Sequence, residues 1–238
     1  MRSDIQQLIA DTPAQRSREW YKARLGHFTG SQVGRLMKNG RGGDLSADAY
    51  TYISEIVSER LINPVVLDVD ELTDEYIEAT AVTSRAMAWG IDNELNAVKV
   101  YEKLTAYKVA HCGTLQHEGL GCFWDSPDGL LLDEDGVIEV KCPQVKQHAA
   151  FLGVQSAEEL KDENPVYYWQ CMSHMAVTCA EFCDFISYNP FIKPSVHIVR
   201  ISVNHEEIHA LIQRIKMADS IATERVKQLR HQTELIYG

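Results

Sequence analysis

The chain has 238 residues, 45% hydrophobic and 24% charged, enough for one sizeable buried core. No apolar run reaches the ~18 residues of a membrane-spanning helix, and residues 1–7 lack the apolar core of a signal peptide, so a cytoplasmic protein is expected. A formal net charge of −11 argues against indiscriminate nucleic-acid binding.

The charge is uneven. Residues 1–45 hold 8 of the 23 Lys and Arg and 4 of the 34 Asp and Glu, a local +4 against −15 for the remainder. Two readings fit: a solvated basic N-terminus, or a positive groove on an acidic body. Residues 20–36 read as helical in parts, broken near Gly26, and Gly40-Arg41-Gly42-Gly43 reads as a mobile loop. Ser46 reads as the N-cap of a helix carrying Tyr52, Ile53, Ile56, Val57 and Leu61, which Pro64 ends. The acidic residues between Asp68 and Glu78 read as solvated surface.

A second helix is predicted over residues 84–104. Its stripe of Met87, Ile91, Glu94, Val98 and Tyr101 has helical spacing and so predicts core. Glu94 is the exception in that stripe, since a buried carboxylate needs a partner or a metal. Strands follow at residues 108–112, 182–188 and 196–203. Helices follow at 148–153, 166–178 and 206–235. The expected class is α/β, a mixed central β-sheet flanked by helices. The six cysteines form no CxxC pair and read as buried thiols, with a site around Cys179 and Cys183 as the metal-binding alternative.

The most informative unit is Ser126-Pro127-Asp128-Gly129 with Glu139-Val140-Lys141. Ten residues separate Asp128 from Glu139, and the intervening segment reads as strand, turn, strand. Residues two apart on a strand share a face, so Glu139 and Lys141 lie together, and the hairpin returns Asp128 beside Glu139. Two carboxylates and an ammonium at one point suit a hard divalent cation and a phosphate.

In this pattern the chain resembles the PD-(D/E)XK nuclease superfamily, specifically its phage lambda exonuclease / YqaJ viral recombinase branch. Five ordered blocks carry the resemblance, over residues 20–190. They are Trp20-Tyr21-Lys22-Ala23-Arg24-Leu25-Gly26 with Thr29-Gly30-Ser31; Ala88-Trp89-Gly90 with Glu94; Ser126-Pro127-Asp128-Gly129; Glu139-Val140-Lys141-Cys142-Pro143; and Gln170 within Tyr168-Trp169-Gln170-Cys171-Met172. The resemblance implies a restriction-endonuclease-like fold. It divides one domain into a helical DNA-binding part (1–65), a catalytic core (84–203) and a C-terminal helix (204–238). The implied activity is Mg²⁺-dependent 5′-to-3′ digestion of one strand of linear duplex DNA, leaving a 3′ single-stranded tail. A ring-shaped trimer, a single-strand annealing partner and a phage or prophage origin in a bacterial cytoplasm are implied with it.

The resemblance also assigns residues. Asp128, Glu139 and the Val140 carbonyl would hold the main metal, with Glu94 on a second, both Mg²⁺ with Mn²⁺ as a substitute. Lys141 and Gln170 would handle the attacking water. Arg24 and Ser31 would meet the terminal 5′ phosphate, and Arg41 the DNA backbone. The family's pocket arginine is replaced here by Gln147, so either Lys146 takes its place or 5′-phosphate preference is weaker. Met87 falls where the family has an apolar wedge, although its helical spacing favours core. Three other readings stand beside this one: an endonuclease or RecB-like domain, a non-catalytic DNA-end-binding module, and a metalloenzyme using His111 and His117.

Overall fold

The computed structural model describes Ile9 and residues 12–81 and 84–237. Residues 1–8, 10 and 11 of the expected DNA-binding part, residues 82–83, and Gly238 of the expected C-terminal helix lie outside these. Ser17 caps α1 (Arg18–Arg24) by accepting from the Trp20 amide. A two-residue strand, β1 (Phe28–Thr29), and a short helix, α2 (Gly30–Val33), follow. The Gly40–Gly43 stretch forms a 3₁₀ turn over Arg41–Gly43, with Gly42 and Gly43 at φ of 76° and 88°.

Ser46 caps α3 (Ala47–Arg60), which buries Tyr52, Ile53, Ile56 and Val57 as the periodicity predicts. Pro64 does more than end this helix. Its fixed φ suits the first position of α4 (Pro64–Asp68), which Asn63 caps. The acidic stretch forms α5 (Asp70–Thr80), and part of it is paired: Asp70 and Asp74 meet Arg18, and Asp70 meets Lys22. Arg35 and Lys38 are likewise held by Asp48 and Glu55. Ion pairing therefore occupies much of the basic N-terminal charge.

Ser84 caps α6 (Arg85–Thr105). Ala97, Val98 and Tyr101 in its second half are buried, whereas Met87 and Ile91 in its first half are 51% and 44% exposed. The expected core position of Met87 is therefore wrong, because the N-terminal turns of α6 overhang the sheet.

The principal sheet has five strands in the order β2 (Val109–Ala110), β5 (Gly129–Leu131), β6 (Gly136–Lys141), β7 (Phe182–Tyr188), β8 (Val196–Ser202). Only β6 and β7 are parallel neighbours, so the sheet is mixed. A parallel pair needs a crossover, which α7 (Val145–Phe151), α8 (Ala157–Glu163) and α9 (Pro165–Thr178) supply. A second sheet, β1 with β4 (Phe123–Asp125) and β3 (Leu115–Gln116), was not foreseen, nor was α8. The last helix, α10 (His205–Tyr237), packs on α3. No described helix is long and apolar enough to cross a membrane.

Alternation on β6 and β7 divides the core in two. Ile138, Val140 and Ile186 pack with Tyr101 and Val98 of α6, and Val137 and Phe185 join the cluster that holds Met172 and Met175 of α9. Glu139 pairs in register with Phe185 and therefore faces α9.

Candidate active site

The hairpin places the acidic residues as its spacing predicts. Gly129 lies opposite Ile138, and the Asp128 amide donates to the Ile138 carbonyl at 3.2 Å. The Asp128 carboxylate turns back onto β6, where Oδ2 accepts from the Val140 amide at 2.7 Å. Lys141 contacts Glu139 Oε1 through its ammonium, which also lies 4.9 Å over the Tyr167 ring. Glu139 is fully buried; its Oε2 accepts from His174 Nε2 at 2.6 Å. Oε1 pairs with the Lys141 ammonium.

An open cleft of about 430 Å³ gathers Glu94, Asp128, Glu139, Val140, Lys141 and Gln170. Met87, Gln147 and Tyr167 complete its wall, with Arg16 at the rim. Gln170 is a buried residue of α9 facing the cleft, not a helix-surface amide. Glu94 reaches the cleft from α6, where its Oε2 accepts from Arg16 at 2.9 Å. The three carboxylates border the cleft without closing into a cage. Among the described residues no three His, Cys, Asp or Glu side chains gather at metal-ligating distance, around Cys179 and Cys183 or here. Arg16 and Lys141 each draw one carboxylate to themselves.

The protonation equilibria match this crowding. Burial raises Asp128 well above the usual carboxylate range, and the Glu139 charge raises it further. Burial also opposes ionisation of Glu139, but Lys141 and His174 outweigh it and hold Glu139 below its ordinary value. Burial alone would lower Lys141; Glu139 and Asp128 overcome that and keep it an ammonium. His174 is raised well above the usual histidine value, because Asp125 and Glu139 prevail over its burial. A divalent cation fits these residues. It would share the buried Glu139 Oε1 with Lys141 and replace the proton that Asp128 tends to retain.

Arg24, Ser31, Arg41 and Lys146 are not among the residues lining this cleft. Arg24 reaches it indirectly. Its guanidinium stacks 4.2 Å over Trp20 and donates to Ser126 Oγ at 3.2 Å, two residues before Asp128. Trp20 Nε1 donates to the same hydroxyl at 3.0 Å. Ser31 lies on α2, and Arg41 is exposed on its 3₁₀ turn. Of the two candidates on α7, Gln147 borders the cleft.

Two groups of functional interest escaped the sequence reading. Arg16, a non-glycine residue at φ 68°, grips Glu94 from 78 residues away. Its position in the basic N-terminal stretch was the one available signal. The Asp125–His174 pair carried no signal, since 49 residues separate its members.

The fold is that of a class, phage-type exonucleases, and solved structures carry the likeness. The chain is 25% identical to an alkaline exonuclease, LHK-Exo, from Laribacter hongkongensis, with a TM-score of 0.74 over 92% of this chain and 100% of that one. The same enzyme in complex with dAMP matches with a TM-score of 0.75 at 24% identity, again over 92% and 100% of the two chains. A phage-related exonuclease from Haemophilus somnus 129PT shares the fold at 14% identity, with a TM-score of 0.63 over 87% of this chain and 96% of that one. The model of the YqaJ-like viral recombinase domain matches residues 19–181, and the chain belongs to that family. No curated protein sequence matches.

Proposed function

We propose that this protein is a metal-dependent exonuclease that degrades one strand of linear duplex DNA from its 5′ end and leaves a 3′ single-stranded tail for strand annealing. The observation that carries the reading is the convergence of Glu94, Asp128, Glu139, Lys141 and Gln170 on one cleft. Asp128, Glu139 and the Val140 carbonyl would hold the main Mg²⁺, and Glu94, now paired with Arg16, would hold a second; Mn²⁺ would substitute. Bound there, the ions supply a water of lowered pKa and neutralise charge developing on the phosphate.

The chain's own residues do the rest. Lys141, a cation over Tyr167, orients the attacking water and faces the non-bridging oxygens of the scissile phosphate. Gln170, one turn beyond Tyr167 on α9 and lining the same cleft, holds that water with Lys141. The terminal phosphate is met by Arg24 and Ser126, already hydrogen-bonded to each other, with Ser31 nearby in sequence to Gly30 at the same junction. Gln147, with no charge, makes 5′-phosphate preference modest, and Lys146 and Arg41 contact the DNA backbone. Residues 1–65 form the DNA-binding part of a single domain, Met87 at the rim serves as the strand wedge, and the working form is a trimeric ring in a bacterial cytoplasm.

End-labelled linear duplex tests this. With Mg²⁺, label leaves the 5′ end first, covalently closed circles stay intact, and 5′-phosphorylated ends are cut faster than 5′-hydroxyl ends. Cleavage of closed circles would establish an endonuclease instead. Light scattering reads the trimer directly, and a monomer at working concentration contradicts the ring.

A further inference from the structure

Gln170 and His174 are one helical turn apart on α9, so they share a face. Gln170 borders the cleft; His174 lies one turn deeper and is fully buried. Its ring is clamped between two carboxylates: Nδ1 is 2.7 Å from Asp125 Oδ2, and Nε2 is 2.6 Å from Glu139 Oε2. Asp125 is itself fixed. Its Oδ1 accepts from the Ser126 amide at 2.8 Å, and its Oδ2 also accepts from the Ser173 hydroxyl. The room for this arrangement comes from Gly30, where a Cβ would lie 2.0 Å from Asp125 Oδ1 and 2.3 Å from Ser173 Oγ.

Nothing in the reaction outlined above uses this chain of contacts. As a source of stability it is a poor choice, since a buried ion chain is often matched or bettered by packed apolar side chains. What it does provide is direction. Glu139 can use two oxygens, and His174 occupies one of them, leaving Oε1 with Lys141 at the cleft. We propose that Asp125 and His174 form a positioning dyad. His174 Nε2 holds Glu139 Oε2 so that Oε1 is presented to a divalent cation, and Asp125 fixes the ring that does so. His174 is thus a positioning residue that acts through Glu139. This rests on the reading of Glu139 as a metal ligand.

Calorimetric titration of Mg²⁺ and Mn²⁺ into the full-length protein without DNA tests it, with melting curves recorded in parallel. His174→Gln keeps a donor where Nε2 lies and retains the hold on Glu139; His174→Asn keeps only the donor towards Asp125. The expected result is an Asn variant binding metal about 10–100-fold more weakly than wild type, the range for losing a group that orients a ligand, and a Gln variant close to wild type. Asp125→Asn, which leaves the ring present but loosely held, falls between them and serves if the Asn variant does not fold. A purely structural role would lower both melting temperatures without ordering the two affinities. Folded Asn and Gln variants of equal affinity overturn the dyad alone. A wild-type protein that binds neither metal overturns the metal reading and the dyad together.

Discussion

Two buried carboxylates stand on adjacent strands of the principal sheet and face opposite ways. Asp184 on β7 accepts from the Tyr101 hydroxyl at 2.7 Å and from Arg200 Nε and Nη2 at 2.8 Å each. Its bonds tie α6 to the two strands that run beneath it. Glu139 on β6 is buried as deeply, yet its partners are the buried His174 and the cleft-lining Lys141. Burial alone therefore does not distinguish a structural acid from a functional one. Their partners do: Asp184, bonded by Tyr101 and Arg200, ties down the helix that carries Glu94, and Glu139, paired with Lys141, borders the cleft.

The comparison breaks if the two acids respond alike to mutation. Glu139→Gln and Lys141→Ala should each lower cleavage by roughly 10²–10³-fold per folded molecule, with DNA binding retained in gel-shift titration. Lys141→Ala should also still bind metal. Asp184→Asn should do the reverse. It weakens both Arg200 bonds and costs about 1.5–3 kcal/mol in denaturant unfolding, discounted because Arg200 is half-exposed, while turnover per folded molecule changes little. A large turnover defect in Asp184→Asn with no stability loss would erase the distinction.

A smaller effect sharpens it through pH. The folded-state pKa of Asp128 is raised, so its contribution to stability is full below the ordinary carboxylate value of about 4 and is lost as pH rises through the raised value. Glu139 is lowered, so its contribution is present above its ordinary value and lost only as pH falls through the lowered one. Bound Mg²⁺ takes the place of the Asp128 proton, so the gain in melting temperature on adding Mg²⁺ should grow with pH above about 4. In Asp128→Asn that growth should vanish. The smallest effect belongs to Met87→Ala. Half-exposed at the rim, it should change stability by less than about 0.5 kcal/mol, where a core methionine would cost about 2–5 kcal/mol; denaturant unfolding separates the two.

Much of the site was legible because it is local. Asp128, Glu139 and Lys141 sit on one hairpin, whose period of two fixes which side chains meet. Glu94 was legible because a charge interrupts an apolar stripe, although that stripe misled in part: Val98 and Tyr101 are core, and Met87 and Ile91 overhang the sheet. Periodicity states which residues share a face, not how far the neighbouring sheet extends beneath it. The two-residue strands β1 and β3 are too short for any alternation to show. Arg16 and the Asp125–His174 pair depend on contacts spanning 78 and 49 residues, which only the folded chain brings together.

The central claim is that the cleft around Glu139 performs metal-dependent hydrolysis at DNA ends. The most direct measurement is release of a 5′ label from linear duplex by wild type and Glu139→Gln across a Mg²⁺ titration. The account predicts release that requires Mg²⁺ in the wild type and is reduced by roughly 10²–10³-fold in the variant. Equal release by both proteins, or release undiminished by removing Mg²⁺ with a chelator, would contradict it.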